Sequence, residues 1–355
     1  MNDVVNVGII GAGAISDTYL RNLINDFDGL NVVSICARHL SSAEKKALKY
    51  GIKACTYEEM LSDDRIDLVV VLTPVDTHYS IIKDFLLAGK HVYTEKTICE
   101  RVDQADELIL IAKEKGLYLG SAPDTFMGPC FQTAKTAIEN GMIGEVTSFN
   151  ISINRCNDIL TAVFPFLRLP GAGVLRDYLV YYVSALVYLF GPAKRTCAIV
   201  KTLRSNRINK VPGTNGFEEE ISTPNESFVS AILEFENGVT GTIHENHESM
   251  MYDRAEFAIY GSKGILQLGN PNRFDDPVYL LKADDEKEIM KTAVEPVSRY
   301  EFNERGLGAS EMMKAFFEKR AAIADASVAR HVLDILESME RSNESGSFVD
   351  IRSSL

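Results

Sequence analysis

The chain has 355 residues, 46% hydrophobic and 25% charged, the composition of an ordinary soluble globular protein, and at roughly 150 residues per domain it accommodates two. Its 37 basic and 50 acidic residues leave a formal charge of −13, which argues against a nucleic-acid partner, because phosphate-backbone binders carry a basic excess or stripe. A small anionic ligand needs only one local pocket and stays allowed.

The N-terminus, Met1-Asn2-Asp3, is acidic and runs directly into a strand-like segment, unlike a secretory leader. Val4 to Ile10 reads as a strand, Gly11-Ala12-Gly13 interrupts it, and Ile15, Tyr19, Leu20, Leu23, Ile24 and Phe27 then fall at helical spacing. Asn31 to Cys36 is the next strand, and Ser41 or Ser42 caps a helix ending near Tyr50-Gly51. Asp67 to Leu72 and His91 to Thr94 are strands around a helix from Thr77 to Leu87; Val102 to Lys115 is a helix and Leu117 to Gly120 a strand. This alternation predicts a doubly wound parallel sheet with helices on both faces.

Beyond residue 122 the pattern changes. Val146 to Asn154, Thr196 to Lys201, Ser227 to Phe235, Val239 to Glu245, Arg254 to Tyr260 and Gly264 to Leu268 read as strands, with Glu236-Asn237-Gly238 as a hairpin turn. Consecutive hairpins imply an antiparallel sheet. Helices are expected at Cys130 to Asn140, Arg176 to Phe190, Ala309 to Ala324 and Val328 to Arg341. The apolar stretch Tyr178 to Phe190 is shorter than the about 20 residues that cross a bilayer, so it reads as a buried helix and no membrane is expected. Arg204 to Asn225 is a polar connector, read as a loop near a ligand site. The expected domains are 1–122 and 123–355. None of the six cysteines forms a Cys-x-x-Cys pair, which points to reduced thiols in a cytoplasmic protein.

Gly11-Ala12-Gly13-Ala14-Ile15-Ser16 matches a dinucleotide fingerprint in its first two glycines. The first permits the tight turn, the second lets a pyrophosphate approach the backbone, and the helix N-terminus supplies N–H donors. The flanking strand and amphipathic helix are the context that such a motif requires. Ala37-Arg38 ends the second strand, where an acid would select NAD; Arg38 instead leans toward the 2′-phosphate of NADP, unless it is only a solvated loop arginine.

The segments Asp67-Leu-Val-Val-Val-Leu-Thr-Pro-Val-Asp-Thr-His78 and Ala88-Gly-Lys-His-Val-Tyr-Thr-Glu-Lys-Thr97 resemble the glucose–fructose oxidoreductase/inositol dehydrogenase (Gfo/Idh/MocA) family. The resemblance extends through Ile143-Gly-Glu-Val146, Gly171-Ala-Gly173 and Ile259-Tyr-Gly-Ser-Lys-Gly264. It implies an α/β chain with an N-terminal Rossmann domain and a C-terminal α/β domain built on an open, mostly antiparallel sheet. The family's Glu-Lys-Pro motif falls on Glu95-Lys96-Thr97, which gives Lys96 the role of moving the substrate hydroxyl proton beside the nicotinamide. Its Asp-x-Gly-x-His/Tyr motif falls on Asp177-Tyr178-Leu179-Val180-Tyr181. Asp177 and Tyr181, four apart, would share one helix face and act as substrate ligand and acid/base; the alternatives are a helix-terminal carboxylate and a core aromatic. Thr97 and Leu179 depart from the family pattern.

The same resemblance puts Thr73 and Pro74 on the cofactor, with His78 either beside them or capping or packing the next helix. It makes Asp124 a candidate substrate contact. Arg176 would bind a substrate carboxylate or pair with Asp177. His244 and His247 are three apart on a strand and point to opposite faces, so no metal is expected. The whole reads as an NAD(P)-dependent oxidoreductase acting on a secondary hydroxyl or keto group of a sugar, polyol or related cyclic alcohol, a small-molecule enzyme and homodimer or homotetramer by resemblance. The alternative is a non-catalytic dinucleotide sensor of the same fold.

Overall fold

The computed structural model describes residues 4–283, 288–298 and 303–355. The chain begins with a β–α alternation: β1 Val5–Ile10, α1 Ser16–Asn25, β2 Leu30–Cys36, α2 Leu40–Tyr50, β3 Lys53–Ala54, α3 Tyr57–Leu61, β4 Leu68–Val71, α4 His78–Leu87, β5 His91–Thr94, α5 Val102–Lys115 and β6 Leu119–Ser121. These strands form one parallel sheet in the order β3-β2-β1-β4-β5-β6. The chain winds outward from β1 to β3, then returns to β4 on the other side of β1. That reversal opens a crevice at the carboxyl ends of β1 and β4, where ligands of such sheets bind. Every residue of β4 is sealed from solvent, as a strand covered on both faces requires.

Two local expectations are corrected here. Neither Ser41 nor Ser42 caps α2: the helix starts at Leu40, and His39 before it makes no side-chain cap. The short β3 and α3 also escape the periodicity argument. Two residues are too few to show alternation, although α3 carries a legible capping box, with Glu59 N donating to Thr56 Oγ1 at 3.2 Å and Thr56 N to Glu59 Oε2 at 2.8 Å.

The second fold element set comprises α6 Pro129–Glu139, β7 Val146–Cys156, α7 Asn157–Val163, a π-helical turn Leu175–Leu179, α8 Val180–Phe190, β8 Ala193–Lys201, β9 Asn206–Ile208, β10 Glu220–Ser222, β11 Phe228–Phe235, β12 Thr240–Asn246, β13 Glu248–Gly261, β14 Gly264–Leu268, β15 Tyr279–Ala283 and β16 Ile289–Ala293. After α9 Leu307–Glu318 and α10 Ala326–Ser345 comes the final strand, β17 Val349–Asp350. A nine-stranded sheet runs β16-β15-β14-β13-β7-β12-β11-β8-β17, with β12 parallel to β7 and the other pairs antiparallel. The predicted hairpins hold. The expected 204–225 loop instead contains the ribbon β9–β10, anchored by buried Arg207, whose guanidinium bonds Glu248 Oε1 at 2.8 Å and Asp158 Oδ1 at 3.0 Å. The helix α8 is apolar on almost every side and almost wholly buried, as such a helix must be.

Packing divides the chain into Met1–Met127 with Asn303–Leu333, and Gly128–Phe302 with Asp334–Leu355. The change of pattern near residue 122 is therefore one crossing, and the chain returns to the first unit later. The return is physical: Tyr118 Oη donates to Arg320 O at 2.8 Å, and Ser121 N to Ala324 O at 3.1 Å. Gly308 lies so close to the first sheet that a Cβ there would sit 2.3 Å from Tyr93 Oη. Helix α9 stops at Glu318, short of the expected Ala324, because Lys319 takes a left-handed conformation with φ 56°. Among the described residues no helix is long and apolar enough to cross a membrane.

Candidate active site

In the first unit the glycine turn follows β1. Gly11 has φ +108°, and a Cβ there would sit 2.6 Å from Leu72 O, so only glycine lets β1 pass this close to the end of β4. Its N–H is fixed on Cys36 O at 2.9 Å, which ties the turn to the end of β2. At Gly13 a Cβ would meet no atom within 4 Å, so this position opens outward from the turn. Ser16, where the fingerprint has its third small residue, is fully buried and donates its hydroxyl to Gly13 O at 2.7 Å, bracing the turn it interrupts. Ala12, Ala14 and Ile15 complete the approach to α1. The turn, the unfilled space at Gly13 and the start of α1 fit a dinucleotide pyrophosphate.

The other first-unit candidates lie at the carboxyl edge of the same sheet. Ala37 and the exposed Arg38 follow β2, Thr73 and the exposed Pro74 follow β4, and Glu95 and Lys96 follow β5. Glu95 is held from α1 by Tyr19, whose buried hydroxyl donates to Oε1 at 2.7 Å, while Lys96 N donates to Oε2 at 3.2 Å. Burial and the neighbouring Glu95 push the Tyr19 phenol well above its usual range, so it stays a donor. The lysine backbone is thus set by a carboxylate that is itself set by the helix of the glycine turn.

Two first-unit candidates are buried and held by the main chain. His78 is fully buried, with Nδ1 2.8 Å from Thr97 O and Nε2 2.8 Å from Thr73 O. Both ring nitrogens face main-chain carbonyls, the single N–H of the ring donating to one of them, so His78 packs at the start of α4 and braces the loops carrying Thr73 and Lys96, the packing alternative. Burial holds its imidazole below the usual value. Asp124 is also buried, and its Oδ2 accepts from Gly306 N and Gly308 N, each at 3.0 Å, so it fastens the turn before α9 and is no open substrate contact. Burial raises its carboxyl.

In the second unit, Asp177 lies within the π-helical turn, not in a regular helix. Tyr181 follows four residues on and lies buried in α8. Arg176 forms a bidentate pair with Glu340, at 2.6 and 2.8 Å. Its fork is therefore committed to α10, not to Asp177 or a substrate carboxylate. Asp177 instead lines a cleft with Glu226, His247, Asn157, Thr223 and Asn225. His247 Nε2 lies 2.6 Å from Glu245 Oε1, both groups buried, and His247 packs edge-on against the Tyr178 ring at 5.9 Å. The contact is ionic in distance but poorly aligned, for among the described residues these atoms have no aligned hydrogen-bond partner. Burial raises the carboxyls of both Glu226 and Glu245.

Sequence reasoning considered His247 only as a metal ligand and passed over Glu226 and Glu245. The signal was present in Gly171-Ala-Gly173. A Cβ at Gly173 would sit 2.0 Å from the Glu226 carboxylate, so this glycine reserves the carboxylate's place.

Residues 5–122 match the family described as an oxidoreductase family with an NAD-binding Rossmann fold, and residues 131–267 match the Gfo/Idh/MocA C-terminal domain. The chain is 28% identical to the uncharacterized oxidoreductase YhhX of Escherichia coli, over 74% of this chain and 70% of that one. It is 26% identical to the inositol 2-dehydrogenase of Rhizobium meliloti, over 75% and 76% of the two chains. Among solved structures, levoglucosan dehydrogenase in complex with NADH aligns with a TM-score of 0.83 at 19% identity, covering 98% of this chain and 99% of that one. With both halves matched and the Rossmann order and mixed sheet in place, the chain belongs to the Gfo/Idh/MocA family of oxidoreductases.

Proposed function

We propose that this protein transfers hydride between a nicotinamide dinucleotide and a secondary hydroxyl or keto group of a sugar, polyol or related cyclic alcohol. The observation that carries the reading is the register of the first sheet. The glycine turn after β1, Thr73 after β4 and Glu95-Lys96 after β5 follow three adjacent parallel strands, and so emerge along one edge. The glycine turn and α1 would hold the pyrophosphate, with Thr73 and Pro74 beside it, and the bound nicotinamide supplies hydride chemistry at its ring. Lys96, set by Glu95, exchanges the carbinol proton. In the second unit, the family motif makes Asp177 a ligand of substrate hydroxyls and Tyr181 an acid/base.

Arg38 supports NADP as the preferred cofactor, since its exposed guanidinium follows the strand whose end tests the ribose 2′ position. The named relatives include both cofactor types: a scyllo-inositol 2-dehydrogenase (NADP(+)) of Bacillus subtilis, 26% identical over 58% of this chain, and the NADH-bound levoglucosan dehydrogenase. Inositol and levoglucosan in those names support a polyhydroxy substrate.

The test is steady-state hydride transfer across a panel of sugars and cyclic polyols with each cofactor. Lys96→Ala is expected to lose about 10²- to 10⁴-fold in turnover, the usual worth of a positioned acid/base, while dinucleotide binding persists. Full turnover by that variant would overturn the role of Lys96. Tight dinucleotide binding without hydride transfer to any panel member would instead make the protein a sensor.

A further inference from the structure

Tyr19 places a polar group where an apolar side chain would fill the core. It is fully buried in the first turn of α1, a helix that also buries Leu20 and Leu23. A phenylalanine would pack there with no hydroxyl to satisfy, and a buried hydroxyl without a partner costs free energy. Among the described residues, the Tyr19 hydroxyl makes one hydrogen bond, donating to Glu95 Oε1 at 2.7 Å. Glu95 accepts a second bond through Oε2, from Lys96 N at 3.2 Å, and its own N donates to Val71 O at 2.9 Å. One carboxyl thus joins α1 to the main chain of Lys96. Past the lysine, His78 Nδ1 lies 2.8 Å from Thr97 O, and Thr97 Oγ1 donates to Cys99 O at 2.9 Å. The near flank of Lys96 is therefore held from α1 and the far flank from α4.

The helix that carries Tyr19 is a firm support. Asn22, one turn further along and buried, donates from Nδ2 to Asn303 O at 2.8 Å and to Arg305 O at 2.9 Å. Gly306 follows so closely that a Cβ there would sit 3.1 Å from Leu23 Cδ2. At the other end of α1, Asp17 pairs with Lys46 of α2 at 2.5 Å. A hydroxyl on such a helix is a fixed point. A glutamate side chain has several staggered rotamers, and without Tyr19 only the Lys96 N–H would choose among them. Resting on the reading of this chain as an oxidoreductase in which Lys96 exchanges the carbinol proton, we propose that Tyr19 is a positioning residue for Lys96: its hydroxyl fixes the Glu95 carboxyl, which fixes the main chain from which the lysine side chain departs. The helix α1 then serves twice, the dinucleotide at its N-terminus and the lysine through Tyr19.

The experiment compares four full-length proteins: wild type, Tyr19→Phe, Lys96→Ala and the double variant. Tyr19→Phe keeps the buried ring and removes only the hydroxyl. It should lower kcat by about 10- to 100-fold, the scale of an ångström-sized misplacement of a reacting group, with KM and NADPH affinity unchanged. A residue that acts through Lys96 has nothing to position once that side chain is gone, so the double variant should turn over as Lys96→Ala does. Deuterium exchange of the Lys96 amide gives a readout independent of turnover. It should be about fivefold faster in Tyr19→Phe, the scale of one net hydrogen bond, while the amides of β1 keep their wild-type rates. Unchanged kcat, an equal further fall in the Lys96→Ala background, unchanged Lys96 exchange, or faster exchange throughout β1 would each overturn the proposal and leave the oxidoreductase reading standing. Equal turnover by wild type and Lys96→Ala would overturn the role of Lys96 instead. In that case, or where Lys96→Ala or wild type has no measurable turnover, the exchange arm decides: faster exchange confined to Lys96 supports the link to Tyr19, and unchanged or general exchange refutes it.

Discussion

Gly11 and His78 set the first unit's site from opposite directions, one by having no side chain and one by having a fully engaged one. Gly11→Ala would place a methyl 2.6 Å from Leu72 O at φ +108°. Holding a non-glycine residue in such a conformation costs about 1–3 kcal/mol before the clash is added. We expect a lowered Tm and weakened NADPH binding, measured by thermal unfolding and by fluorescence titration. His78→Ala would remove the one ring N–H that serves Thr73 O or Thr97 O, at about 1–3 kcal/mol for the carbonyl left unpaired, and would empty the buried site between them. Because these carbonyls flank Lys96 and the β4 loop, kcat should fall along with stability. Urea unfolding with parallel kinetics checks both, and unchanged kinetics in a destabilised variant would confine His78 to a packing role. Arg38→Ala should weaken NADPH binding by about tenfold, or about 1.4 kcal/mol, while sparing NADH, as competitive titration of the two cofactors would show.

At the scale of elements, the sequence revealed what repeats and concealed what is local or distant. The strand–helix alternation through Lys115 was legible because Val4 to Ile10, Asp67 to Leu72 and the helix faces keep their periods over many residues. The strands β3 and β17, two residues each, carry no period at all. The ribbon β9–β10 is hidden for another reason: it is held by the Arg207 ion pairs, which come from residues far apart in the chain. The site was legible where a local turn makes it, at Gly11 to Ser16. It was obscure where it depends on partners, since nothing near Arg176 in sequence announces Glu340, and nothing near Asp124 announces Gly306 and Gly308. The π-helical turn around Asp177 is likewise not announced by the apolar run that contains it.

The C-terminal strand depends on one such distant partner. Asp334 of α10 accepts from Arg352 N at 2.9 Å and Ser353 N at 2.7 Å, with Arg341 on its other oxygen at 3.1 Å. Burial alone would push its carboxyl up, but the bonds from Ser353 and Arg341 outweigh it and hold the group below its usual 3.8. Since the folded value lies below the unfolded one, the contribution to stability is present above pH 3.8 and is lost as pH falls through the folded value. Asp334→Asn should cost about 1.5–3 kcal/mol at neutral pH, typical of hydrogen bonds to a charged group, and the deficit should shrink in acid. Chemical denaturation at neutral pH and below pH 3.8 measures that difference.

For the whole molecule, the acidic surface and the oxidoreductase fold have compatible meanings. A charge of −13 disfavours a polyanion, while a dinucleotide needs only the glycine turn, the start of α1 and Arg38. A cofactor that binds the native state alone should stabilise it by about 2.7 kcal/mol at one hundred times its dissociation constant. Thermal unfolding with NADPH or NADH therefore ranks the two without any substrate, and the larger shift is expected with NADPH. The central claim, hydride transfer assisted by Lys96, is tested most directly by following nicotinamide absorbance during turnover of neutral cyclic polyols by the wild type and Lys96→Ala. The account predicts turnover by the wild type and a loss of about 10²- to 10⁴-fold in the variant with dinucleotide binding intact. Equal turnover by the two proteins, or none by either despite bound cofactor, would contradict it.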